Sequence, residues 1–385
     1  MTVLAHTTPD AGSVQHASNP REQDGKEPRG SNGLSPQDQQ RTPGLPSSRP
    51  RGGFLFSPAI DLFFIVNAFW PLLLIVDFFG GVTTHQSLLF WQIYFVTAPH
   101  RWITLVLVSV DHHKGLDRRR HFFAWGAAIL VGCLCVKMGT GSLLCLGVID
   151  YIWNAWHFAS QHHGVFRIYQ RRRSADAAAG QQPPSRLSLS TDKGLFRGFM
   201  LYVIARVAGW GWTEGPLDGF QWVSTVDWFV LLIPAALVCR QFSQCFVTRT
   251  ASVASVAYLT SVMTLFSALL IAAHYEHTPY VVALALASAI FHSLEYMSIV
   301  TWSMNGPRKE TRSNPLVRLS QMWLLFLIIF VVVIGLGNYA LSRGYFEFWV
   351  FINLVVAFWH YCFDGMIWKS RKPSSTADPL KPATT

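Results

Sequence analysis

Polar and apolar positions divide the chain into long alternating blocks. Residues 1–52 are rich in Pro, Gly, Ser, Gln and charge. Such a segment cannot bury enough apolar surface to offset the entropy of ordering, so it reads as a disordered cytoplasmic tail. Residues 371–385 read as a second short tail. In the intervening membrane domain, 53–370, apolar runs recur at about 20 residues, the length that crosses a hydrocarbon core of ~30 Å. They fall at 58–79, 88–110, 121–137, 141–164, 195–213, 219–239, 252–274, 279–303, 317–341 and 347–368. The pattern predicts an all-α integral membrane protein, a bundle of about ten transmembrane helices. Only Met138, Gly139 and Thr140 separate the third run from the fourth. Residues 121–164 therefore read either as two full spans or as a hairpin that does not cross.

Charge then fixes an orientation. All Lys and Arg residues except Arg101, Lys137, Arg206 and Arg343 lie in the two tails, in the connections after even-numbered runs or, for Arg197 and Arg318, within the first three residues of the run that follows. The alternate connections, GGVTTHQS, GWTEGPLDG and HYEHTP, carry neither. Basic residues near helix ends mark the cytoplasmic side. Both termini are thus expected in the cytoplasm, with the chain passing many times through the cell (inner) membrane.

Composition agrees: 51% of residues are hydrophobic and 14% charged, against about 25% charged in soluble proteins. The net charge of +10 raises nucleic acid as a partner. The basic residues are spread between apolar runs and form no polar domain, which argues against it; membrane lipids are the expected surroundings. The start, MTVLAHTTPDAGS, lacks the pattern of a cleavable signal peptide. The six cysteines include no C-x-x-C pair and most lie within apolar runs. They read as small apolar residues, with no disulfide and no metal.

Histidine is where chemistry enters. Of fourteen, His6 and His16 lie in the tail, and His85, His274 and His277 at outer helix ends. The other nine, including His121 at a helix end, map to the cytoplasmic half of the second, third, fourth, eighth and tenth runs. The even-numbered runs point the same way, so their histidines can meet at one depth, as a metal site in a helix bundle requires. The second run carries His100 and ends in Asp111-His112-His113; Asn154, His157 and Gln161 lie on one stripe of the fourth, followed by His162 and His163. His292 stands one turn from Glu295, and His360 one turn from Asp364. Ionisable groups at membrane depth are costly and mark function. The candidate metal ligands are His100, His112, His113, His157, His162, His163, His292, His360, Asp364 and Glu295; imidazole with carboxylate suits iron, copper, zinc or manganese. Arg101, charged and inside a span, is expected to face Glu295 or Asp364, or an anionic group of a substrate. Arg206 and Asp150 read as an ion pair. A proton-coupled transporter and a haem redox protein would use the same residue types.

Two families share features with these segments. H-x-x-x-x-H-H at His157, His162 and His163 resembles the histidine boxes of integral-membrane fatty-acid desaturases and hydroxylases, with one residue more in the spacing. Pro99-His100, His157-Phe158, Phe291-His292-Ser293 and His360…Asp364 resemble, in order, the motifs of the Brp/Blh family, membrane enzymes that cleave β-carotene. Arg101 stands where that family has Gly, no Pro precedes His360, and the last spacing is one residue shorter. The resemblance implies a non-haem iron oxygenase with one or two irons and dioxygen as co-substrate. It implies an apolar substrate (carotenoid, acyl chain or other lipid) and leaves room for an electron donor protein.

Overall fold

A computed structural model describes residues 51–110, 115–176, 186–213, 220–304 and 322–367. Residues 1–50, the C-terminal tail, His112 and His113 lie outside them. The described chain is helical and contains α1 (Pro58–Phe64), α2 (Trp70–Trp91), α3 (Ala98–Val110), α4 (Gly115–Thr140), α5 (Leu144–Asp176), α6 (Arg186–Val207), α7 (Val223–Val230), α8 (Leu232–Phe246), α9 (Val253–His274), α10 (Thr278–Met304), α11 (Trp323–Gly344) and α12 (Phe346–Ile367). Six stretches among the described residues are long and apolar enough to cross a membrane: the main part of α4, α7 with α8, α9, α10, α11 and α12.

Several boundaries differ from the sequence reading, each for a local reason. The run 58–79 is not one helix. It breaks between α1 and α2, where Asn67 sits at φ 48° and its amide donates to the carbonyls of Phe64 and Ile65. Buried Asp61 anchors this break, accepting the amides of Leu55 (2.6 Å) and Phe56 (2.9 Å) and the Tyr169 hydroxyl (3.0 Å). The expected loop at 80–87 is a single-residue turn. Gly81, at φ 71° and ψ −172°, reverses the backbone in a region that only glycine enters freely, and helix resumes at once. The run 195–213 stops at Val207, and Gly209 and Gly211 follow at positive φ. The break between α7 and α8, at Leu231, directly follows Val230, whose carbonyl lies four residues before Pro234 and meets its ring. α4 and α5 are joined by a tight turn at Gly141, and both are long helices.

A π-helical segment, Gln92–Thr97, links α2 to α3. Pro99 supplies no N–H and crowds the carbonyl of Phe95; a wider π turn relieves that conflict and is frequent beside functional residues. Here it sets the entry of His100. The Phe95 ring packs closely on Gly335 of α11, where an added Cβ would come to 2.5 Å from it.

α9 and α10 form the centre, with 67% of their apolar windows buried, against 11% for α11. Tyr258, Val262 and Phe266 of α9 pack with Phe196, Phe199 and Met200 of α6 and Phe291 of α10. Large apolar side chains face outward on α4 (Phe123, Val131) and α11 (Leu324, Ile328, Val333). Water would penalise so large an apolar exterior; a bilayer solvates it.

Candidate metal centre

Four helices bring their histidines to one place. His100 opens α3, His157 and His162 lie on α5, His292 on α10 and His360 on α12. All five are buried. Ring nitrogens of His100, His157 and His292 lie within 4.8 Å of one another, the separation at which one cation can be shared. His360 Nε2 lies 3.0 Å from His157 Nε2. Two imidazole nitrogens that close oppose their lone pairs unless a proton or a cation lies between them. His162 joins from the far side, its ring centroid 5.6 Å from that of His292.

Polar neighbours hold the rings. His360 Nδ1 lies 2.7 Å from the Thr104 hydroxyl, which is 2.9 Å from the Tyr296 hydroxyl. This fixes the Nδ1 edge and turns Nε2 toward His157. His162 Nδ1 donates to Glu295 Oε2 at 2.8 Å, so its Nε2 is left with a lone pair. Glu295 also accepts from Tyr258 (2.7 Å) and from Gln161 (3.2 Å), whose amide donates as well to the carbonyl of His292. Carboxylates and hydroxyls of this kind commonly orient the histidines of metal sites. Phe158 stacks on the His292 ring at 3.8 Å, and Tyr296 stands edge-on to His100 at 4.7 Å.

The donor chemistry fits a transition metal. His100 Nδ1, His292 Nδ1 and His162 Nε2 are buried with no hydrogen-bond partner. A buried polar atom left without a partner costs about 1–3 kcal/mol. Three of the thirteen such atoms among the described residues fall in this one cluster, where their lone pairs could serve a cation, and neutral imidazoles suit iron, copper or zinc.

The other candidates fall differently. Glu295 meets His162 and not, as its spacing implied, His292. Asp364 is buried one turn beyond His360. His163 turns to another side of α5, against Phe196 of α6 at 5.6 Å, because consecutive helical residues are about 100° apart. Arg101 does not meet Glu295, whose oxygens are already taken. It lies in electrostatic reach of Asp150 and Tyr361, and the Tyr361 hydroxyl is 3.0 Å from Asp150 and 3.1 Å from Asn154. Arg206 does not pair with Asp150. It forms a two-pronged ion pair with Asp227 of α7, at 3.0 and 2.9 Å.

Sequence reading missed Thr104, Tyr258, Tyr296 and Tyr361 as partners of the site. Thr104 and Tyr296 stand one turn from His100 and His292, a spacing that offered a signal; Tyr258 lies in a helix with no candidate ligand within a turn of it and offered none.

Comparison of the chain with protein-family models, curated proteins and solved structures gave no match. Fold and site together define a multi-pass, all-α membrane protein with a buried histidine cluster able to hold a metal ion.

Proposed function

We propose that the protein is a membrane-embedded non-haem iron oxygenase acting on a lipid-soluble substrate, with ten spans and both termini in the cytoplasm. The supporting observation is the convergence of His100, His157, His292 and His360 from four helices, beside three buried ring nitrogens without partners. These histidines would hold the metal, with His162 as a fifth donor positioned by Glu295. Iron, when bound, would supply the activation of dioxygen. The residues' own work is to orient and to exclude water. Thr104 holds His360, Glu295 holds His162, and Phe158 and Tyr296 wall the cluster. Arg101, with Asp150 and Tyr361 beside it, would place a polar end of the substrate or balance charge near the metal. The likeness to the Brp/Blh motifs supports the reading, and an electron donor protein would be needed only if the reaction consumes reducing equivalents.

A haem centre is disfavoured, because ring centroids 4.5–5.6 Å apart leave no slot for a macrocycle among these histidines. A proton-coupled transporter draws support from the chain of hydrogen bonds through His162, Glu295 and Tyr258. Elemental analysis separates the two. Purified protein should contain one or two irons per chain, and His157→Ala should lose most of it while remaining in the membrane. Absence of metal in the parent protein would give the transporter first place. Reporter fusions test the topology: those at Arg120, Arg173 and Arg312 should report cytoplasm, and those near Thr84, Gly215 and Pro279 the outside. Two discordant fusions would overturn it.

A further inference from the structure

α3, α4 and α12 border a half-open cavity of about 540 Å³, lined by Leu105 and Val108 of α3, Phe122, Gly126 and the outward-facing Phe123 of α4, and Trp359 and Phe363 of α12. Its size falls in the range of ligand pockets, about 300–1,000 Å³. The polar groups on its walls are already used. The Ser109 hydroxyl donates to the carbonyl of Leu105 at 2.8 Å, and the Trp359 indole N–H to that of Gly126 at 2.9 Å. A polar guest would give up its hydrogen bonds to water and find few in return, whereas a hydrocarbon loses nothing. Small residues make the room: an added Cβ on Gly126 would stand 3.7 Å from Trp359 and 3.8 Å from Phe363, at the cavity wall.

Its position ties the cavity to the histidines. Thr104 and His360 face one another at 2.7 Å. Val108 and Phe363 follow them by four and three residues, about one helical turn. The cavity therefore begins roughly a turn (~5 Å) beyond the Thr104–His360 pair, between the two helices that carry that pair. We propose that it binds a single hydrocarbon chain and, resting on the oxygenase reading above, that this chain belongs to the substrate, lying lengthwise with one part near the histidine cluster. A lipid of the surrounding bilayer is the competing occupant, since the recess is open on the side of Phe123; its position one turn from the Thr104–His360 pair is what favours the substrate.

The test uses the full-length protein in lipid nanodiscs, irradiated with a long-chain fatty acid that carries a diazirine, with iron measured on the same samples. Label should concentrate in the segments 122–130 and 359–363. Gly126→Phe, which fills the cavity, should remove most of that label and leave iron in place; Val108→Trp is the second variant should the first not accumulate. Label spread evenly over the outward faces of α4 and α11, and unchanged by either variant, would overturn the proposal while leaving the metal reading intact. Label concentrated in the cavity of a protein that holds no iron would support the hydrocarbon site and overturn the metal reading.

Discussion

Two buried polar clusters sit in this bundle, and they differ in how completely they are satisfied. At the ends of α6 and α9, with α7, Arg206 is fully buried and every part of its partner's carboxylate is used. Asp227 receives Arg206 through two prongs, the Tyr202 hydroxyl at 2.6 Å and His274 Nδ1 at 3.0 Å, while Arg206 also donates to the carbonyl of Trp210. In the histidine cluster, five imidazoles are packed together and three ring nitrogens have no partner. A charged network with each bond made is a device for holding helices together, since buried charge survives only when paired. A cluster of imidazoles with bonds unmade is poor glue, and its free ring nitrogens are grouped where one cation could take them.

The contrast can be broken first at its strongest point. Arg206→Met leaves the Asp227 carboxylate buried without its cation. Removing one partner of such a pair costs about 3–5 kcal/mol, so the variant should unfold at much lower temperature or fail to accumulate, as followed by thermal unfolding in detergent. An unchanged midpoint would mean that the pair is not structural. Glu295→Gln should have a smaller effect on the fold and a specific one on the metal. The amide still accepts a hydrogen bond but loses the charge that holds His162, and second-sphere changes of this kind cost about 10–100-fold in metal affinity. Iron binding should weaken by that order with the unfolding temperature little changed. Equal iron affinity in Glu295→Gln would detach His162 and Glu295 from the metal centre.

How much of this was legible beforehand differs from residue to residue. The helical windows at 252–274, 279–303 and 347–368 match α9, α10 and α12 almost residue for residue, because length and apolarity set them. The break at Asn67 was invisible to hydropathy, since a single Asn within apolar sequence gives no loop signal; the turn at Gly81 falls inside the connection expected at 80–87, and only its shortness was unforeseen. Among the histidines, the facing spans drew His100, His157, His292 and His360 together as their common direction implied, whereas His163 turned away by the rotation of one residue. The pairings of the acids were misjudged. Glu295 went to His162, Asp150 to Tyr361, and Arg206 to Asp227, because the carboxylate nearest in helix order is not the one nearest in space.

The sequence by itself determined that the chain is a helical membrane protein, and which residues are chemically able to bind a metal. Both follow from local properties, the length of apolar runs and the identity of side chains. Tertiary structure alone decided which helix faces which, and so which lone pairs meet. The Thr104 contact that aims His360, the Glu295 contact that aims His162 and the cavity beside Trp359 all join residues far apart in the chain. Helix rotation and crossing are set by the packing of many side chains at once, and no single segment encodes them.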